Sequence, residues 1–239
     1  MVTTTDMVSY YKFDESSGDA IDAHGSNDGT VNGATQGASG KINDAYSFDG
    51  VNDSVATSIT ASNINNPTDT QATISLWFYS SDIGATKRIF SSGSDTSGQR
   101  GMAFFTQSGF VRGSSKTADH TYTASDISGL SSSTWYHLVV VVDDSSGVQK
   151  MKTYLNGAEQ SDVSPAGVTN GTAGKELIIA NRITSPSATW AGSIDEIGVW
   201  DRALTATEVS DLYNSGSGLA YPFTTGATVF NAPFFGVNF

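Results

Sequence analysis

The segment Gly192 to Gly216, GSIDEIGVWDRALTATEVSDLYNSG, restricts the fold more than any other part of the chain. Ile194, Ile197, Val199 and Trp200 supply the β-branched and aromatic character of a buried strand. Thr205 followed three residues later by Glu208 is the spacing of a capping box, in which each side chain satisfies a backbone N–H at a helix start. Leu204 and Val209 stand where a hydrophobic staple fixes the entry angle of that helix. Gly216, just past Asn214, supplies the stop. These residues predict a short helix over Thr205 to Asn214. Little else reads as helical, and one helix behind a long series of strands points to an all-β sandwich.

The strands are legible from composition and turns. Met7 to Phe13, Thr73 to Tyr79, Arg88 to Phe90, Met102 to Phe105, Phe110 to Arg112, Lys150 to Leu155, Leu177 to Ala180 and Ser193 to Trp200 are rich in strand formers. Trp135 to Val142 is a continuous apolar run, which predicts a strand covered on both faces. Asn156-Gly157 marks a hairpin, and Asp49-Gly50 predicts a second one between Tyr46 to Phe48 and Val51 to Val55. The stretch DESSGDAIDAHGSNDGTVNGA reads as one long polar loop. Ser215-Gly216-Ser217-Gly218 has linker chemistry, so the expected division is a domain over 1–216 and a tail over 217–239.

Several blocks resemble laminin-G-like, concanavalin A-type jelly-roll domains, in the order that such domains carry them. They are VSYYKFDESSGDAIDAHGSNDGTVNGA, AYSFDGVNDSV, ATISLWFYSSD, STWYHLVVVVDDSSGVQKMKTYLNGAEQ and the segment at Gly192 to Gly216. The resemblance spans Val8 to Gly216 and implies a two-sheet antiparallel jelly-roll sandwich. It also implies a lectin-like, carbohydrate-binding role, although one fold hosts many sites.

The net charge of −12 argues against nucleic acid and anionic membranes as partners. With no cysteine, disulfides and thiolate zinc sites are excluded. The opening MVTTTDMVSYYKF has neither the basic nor the apolar region of a signal peptide. From this follows the expectation of a phage virion structural protein at the particle surface, released by lysis. The alternatives are a secreted bacterial adhesin, or an accessory domain of a polysaccharide-active enzyme.

A structural calcium ion is the expected cofactor. Asp22, Asn27 and Asp28 share the glycine-broken loop, and Ca²⁺ takes six to eight oxygen ligands. Related domains join this loop to their last strand through such an ion, which implies Asp22, Asn27 and Asp195 as ligands, with Asp14 and Glu15 adjacent. The competing reading, that these residues cap turns through Asx hydrogen bonds, stays open. No catalytic residue is expected. The E-x-D-x-x-E strand motif of glycosidases on related jelly rolls is absent, no G-x-S-x-G elbow occurs, and His24, His120 and His137 lack metal-ligand spacing.

Sugar stacking needs exposed aromatics beside polar groups. Phe110, Arg112, Tyr122 and Trp190 lie in loop-like or edge-like segments and are the expected ligand contacts for a glycan or host-surface polymer. Trp77, Trp135 and Trp200 are assigned to the core. The tail carries Phe223, Phe230, Phe234, Phe235 and Phe239, too many for a free solvated segment. It is expected to dock on a virion or other assembly protein, by strand addition or by filling a groove, with packing on its own domain as the alternative. Self-association of the domain is also open.

Overall fold

The computed structural model describes residues 1–60, 71–93, 101–116, 122–143, 150–163, 176–181 and 188–223. Within them two antiparallel sheets form a jelly-roll sandwich. The larger sheet contains β1 (Met7–Tyr11), β3 (Thr35–Ser39), β4 (Asp44–Asp49), β6 (Gln71–Ser80), β11 (Thr134–Asp143), β12 (Lys150–Leu155), β13 (Ala158–Val163) and β15 (Ala191–Trp200). Its order is β13-β12-β11-β6-β15-β4-β3, with β1 also on β15. The smaller sheet contains β2 (Gly29–Asn32), β5 (Ser54–Thr60), β7 (Lys87–Gly93), β8 (Gly101–Gln107), β9 (Phe110–Lys116), β10 (Tyr122–Ile127) and β14 (Glu176–Ile179). Its order is β10-β9-β8-β7-β14-β5-β2.

The main core lies between the sheets. Ile74, Leu76 and Phe78 of β6, Leu138 and Val140 of β11 and Ile194 of β15 meet Val55, Ile89, Phe90, Phe104, Val111, Leu177 and Ile179 of the smaller sheet. The intervening residues of β11 point the other way, because strand side chains alternate. Val139 and Val141 join a second core on the outer face of the larger sheet, with Tyr10, Trp200, Leu204, Val209 and Leu212. The apolar run at Trp135 to Val142 is therefore covered on both faces over its C-terminal part, as its sequence predicts.

The cover is the expected helix, α1 (Ala206–Tyr213), with Thr205 as N-cap and a complete capping box to Glu208. Arg202 clamps Glu208 through two hydrogen bonds of 3.0 and 2.6 Å. Those bonds are the main reason the Glu208 carboxyl falls to about 2, with burial acting against them and Thr205 helping. Asn214, at φ 47°, ends the helix before Gly216, since asparagine tolerates the left-handed conformation. Gly216 closes a short 3₁₀ turn that follows.

Three expectations are corrected. Asp49-Gly50 does not join a hairpin, because β4 and β5 belong to opposite sheets. The turn is a corner between sheets, fixed by hydrogen bonds from the Asp49 amide to Asp53 (2.8 Å) and from the Val51 amide to Asp49 (2.7 Å). By contrast Asn156-Gly157, with φ of 52° and 77°, is a true hairpin turn between β12 and β13. The long polar stretch near the start contains β2 and begins the approach to β3. Finally, packing does not stop at Gly216. Leu219, Tyr221 and Phe223 lie on the second core, with Tyr221 stacked 4.7 Å from Tyr10 and Phe223 edge-on to it at 5.5 Å. Phe223 thus docks on its own domain. Phe230, Phe234, Phe235 and Phe239 lie outside the described residues.

Candidate functional site

The first loop is organised around Asp22. One carboxylate oxygen accepts the backbone N–H groups of Tyr10 (3.0 Å), His24 (3.0 Å) and Gly25 (2.9 Å), and the other accepts that of Asn27 (3.0 Å). A Cβ at Gly25 would stand 2.7 Å from this carboxylate, so glycine is required for the approach. Burial opposes the charge, but the N–H groups of Gly25, Tyr10 and Asn27 outweigh it and hold the carboxyl below its usual range. Asn27 donates to the Ser9 hydroxyl at 2.8 Å, and its carbonyl accepts from Tyr11.

Asp195 sits in a different cradle, accepting the Lys41 and Ile42 amides at 2.8 and 2.9 Å. Asp14 accepts the Asp44 amide at 3.2 Å, and Glu15 accepts the Tyr46 hydroxyl at 2.7 Å. Four inward-pointing N–H dipoles favour an anion and oppose a cation, so Asp22 does not fit as a calcium ligand. Asp22 and Asp195 are thus each engaged by a separate set of backbone N–H groups. Among the described residues no group of three or more His, Cys, Asp or Glu side chains is arranged to hold a metal ion.

Asp195 and Glu196 are both held well above the usual carboxylate range. Burial, reinforced by Glu196 and Asp14 and opposed by the Ile42 and Lys41 amides, raises Asp195 to about 8. Burial, reinforced by Asp14 and opposed by the Tyr10 hydroxyl and Lys12, raises Glu196 to about 7. The pair occupies a β-bulge, where the pairing of β15 with β6 shifts between Asp195 and Gly198 and Glu196 takes φ 51°. Such values often mark catalytic groups. Here Asp195 is 0% and Glu196 4% exposed, and Tyr10, which donates to Glu196, is itself covered by Tyr221 and Phe223. Neither carboxyl is presented at the surface.

An accessible site lies one row away. Trp135 of β11 faces Tyr79 of β6, which faces Ser193 of β15, which faces Ser47 of β4. Directly opposed residues share a face. Because Phe78 and Ile194 point into the main core, Tyr79 and Ser193 point outward. The Trp135 and Tyr79 rings lie 5.6 Å apart at 45°, both half-buried. With Ala38, Ser39 and Ser193 they line a half-open trough of about 390 Å³. Among the described residues no carboxylate, ammonium or guanidinium lines it.

The next row, His137, Trp77 and Asp195, is roofed. Tyr213 at the end of α1 stacks 5.8 Å from Trp77, and the Lys41 ammonium lies 4.6 Å from the same ring. His137 is buried, which lowers it to about 3 and keeps it neutral. Trp77 and Trp135 stand two positions apart across the register, yet only the second is beyond the roof. The assignment of Trp77 and Trp200 to the core holds, and that of Trp135 does not. The sequence signal for its exposure is slight: Trp135 stands near the start of its strand, directly after the polar run SSST.

The expected ligand contacts do not all lie at the surface. Trp190 is fully buried and edge-on to Phe78 at 5.7 Å, so it is a core residue. The Arg112 guanidinium is held by Asp126 at 2.6 and 2.7 Å and by Gln107 at 2.6 Å. Phe110, half-buried, begins the same strand of the smaller sheet. Tyr122 pairs with Lys116 at the sheet edge, and its side chain lies outside the described residues. Among those residues no helix is long and apolar enough to cross a membrane.

Comparison with solved structures finds the same architecture. Domain 4 of AbnA, a GH43 extracellular arabinanase from Geobacillus stearothermophilus solved with arabinotriose, matches with a TM-score of 0.67 at 20% identity, over 86% of this chain and 97% of that domain. Trypanosoma rangeli sialidase matches at 0.70 and 15% identity, over 92% of this chain but 34% of its own. The botulinum neurotoxin serotype D binding domain matches at 0.70 and 10% identity, over 90% of this chain and 52% of its own. These likenesses establish the fold. A search of curated proteins found no match. A family model, Laminin_G_3, matches residues 49–210, well over half of the sequence, and the chain belongs to this family of the concanavalin A-like lectin/glucanases superfamily.

Proposed function

We propose that this protein is a non-catalytic carbohydrate-binding module that holds a glycan in the Trp135–Tyr79 trough. One observation carries the reading. On the outer face of the larger sheet, the row left open by α1 presents two aromatic rings beside serine hydroxyls, which is the chemistry that sugars require: flat apolar faces and hydroxyl partners. The shared fold of the arabinanase domain captured with arabinotriose supports the ligand class. The burial of Asp195 and Glu196 supports the absence of catalysis.

The test is retention on insoluble or gel-embedded polysaccharides. The parent is expected to bind, and Trp135→Ala and Tyr79→Ala to lose at least tenfold in affinity with melting temperatures within a few degrees of the parent. Arg112→Ala, on the other sheet, serves as the control and keeps binding. Release of new reducing ends from a bound polysaccharide would overturn the non-catalytic reading. Display of this module on a virion or another assembly is the wider proposal, supported by Phe230, Phe234, Phe235 and Phe239 in the segment that follows Phe223. A chain ending at Phe223 that still joins the native assembly would remove the tail from that role.

A further inference from the structure

We infer, building on the glycan-binding reading, that the trough selects an uncharged glycan chain and needs no metal ion to do so. Three observations carry this. First, every lining residue among the described residues is neutral: two rings, two serines and an alanine. A carboxylated sugar entering the trough would lose hydration and find no cation to receive it, an unfavourable exchange.

Second, the surrounding charge does not attract anions. Lys41, a cation beside the roof, is engaged over the Trp77 ring. The net charge of −12 sets up a long-range field that repels anions. This field disfavours uronic and sialic acid polymers during approach.

Third, the trough runs across the strands. Its lining comes from β11, β6, β15 and β3, with β4 between the last two. Four inter-strand spacings of about 4.8 Å give a length of about 19 Å. That length suits several consecutive sugar rings rather than one terminal residue. Calcium-bridged recognition would need carboxylates converging on the sugar hydroxyls, and the described lining residues offer none.

Affinity electrophoresis of the full chain tests this, with gels containing neutral polysaccharides (arabinan, galactomannan, a mixed-linkage glucan) or acidic ones (polygalacturonate, hyaluronate, polysialic acid). Titration calorimetry with a length series of any retarding neutral oligosaccharide follows, with and without EDTA. The expected result has four parts: retardation by at least one neutral polymer and by no acidic one, even in 0.5 M salt; loss of at least tenfold in affinity in Trp135→Ala; tighter binding of longer oligomers; and no change with EDTA. Binding of an acidic polymer that Trp135→Ala abolishes, or loss of neutral binding in EDTA, would overturn this inference while leaving the glycan-binding trough intact. Glycan binding indifferent to both Trp135→Ala and Tyr79→Ala, or none across the panel, would overturn the trough itself.

Discussion

Replacing Asp195 by asparagine should stabilise this protein in a strongly pH-dependent way. In the folded chain Asp195 is fully buried and its carboxyl keeps its proton up to about pH 8, against an ordinary value of 3.8. The unfolded chain releases that proton near pH 4. Between these values the folded state binds a proton that the unfolded state does not, so stability falls as pH rises. The effect is absent below about pH 4 and complete above about pH 8. Each tenfold difference in proton affinity is worth about 1.4 kcal/mol, which gives roughly 6 kcal/mol at full effect for the rise to about 8. Local relaxation and water entry bring the expected difference to about 2–5 kcal/mol.

The amide in Asp195→Asn would keep an oxygen to accept the Lys41 and Ile42 N–H groups, so the variant removes the charge and little else. Urea unfolding of parent and variant at pH 4.5, 7 and 8.5 reads the effect. The variant should lead by only about 1 kcal/mol at pH 4.5 and by about 2–5 kcal/mol at pH 8.5. Taking the difference cancels His137, whose low value acts oppositely between about pH 3 and 6.5. A constant difference across pH, or a variant weaker at pH 8.5, would refute the reasoning.

Truncation after Gly218 removes Leu219, Tyr221 and Phe223 from the second core and should cost about 2–4 kcal/mol. An unchanged urea midpoint would show that these rings add nothing. EDTA should leave the melting temperature unchanged, because backbone N–H groups already saturate Asp22. A drop of several degrees that calcium restores would contradict that account of the first loop.

The fold was legible wherever local chemistry and tertiary packing agree. Thr205 and Glu208 announce α1 because a capping box needs only four residues, and Asn156-Gly157 announces its hairpin because both positions need positive φ. Asp49-Gly50 carries similar letters but turns between sheets. Its partner Asp53 is held by long-range packing, which no local pattern encodes. The site was harder to read. Trp77 and Trp135 have similar neighbours in sequence, and what separates them is Tyr213, contributed by a helix more than 75 residues away in the chain. Trp190 lies among small polar residues that suggest a loop, yet the closing of the two sheets buries it. The acidic residues of the first loop suit calcium in composition alone. The backbone path, with Gly25 permitting the approach, turns N–H groups onto Asp22 instead.

The central claim is that sugar is held on the open row of the larger sheet. A crystal structure with a neutral oligosaccharide that retards the protein tests it most directly. The account predicts sugar rings over Trp135 and Tyr79, with hydroxyls on Ser193 or Ser39. Sugar bound on the outer face of the smaller sheet, or in the loop around Asp22, would contradict it.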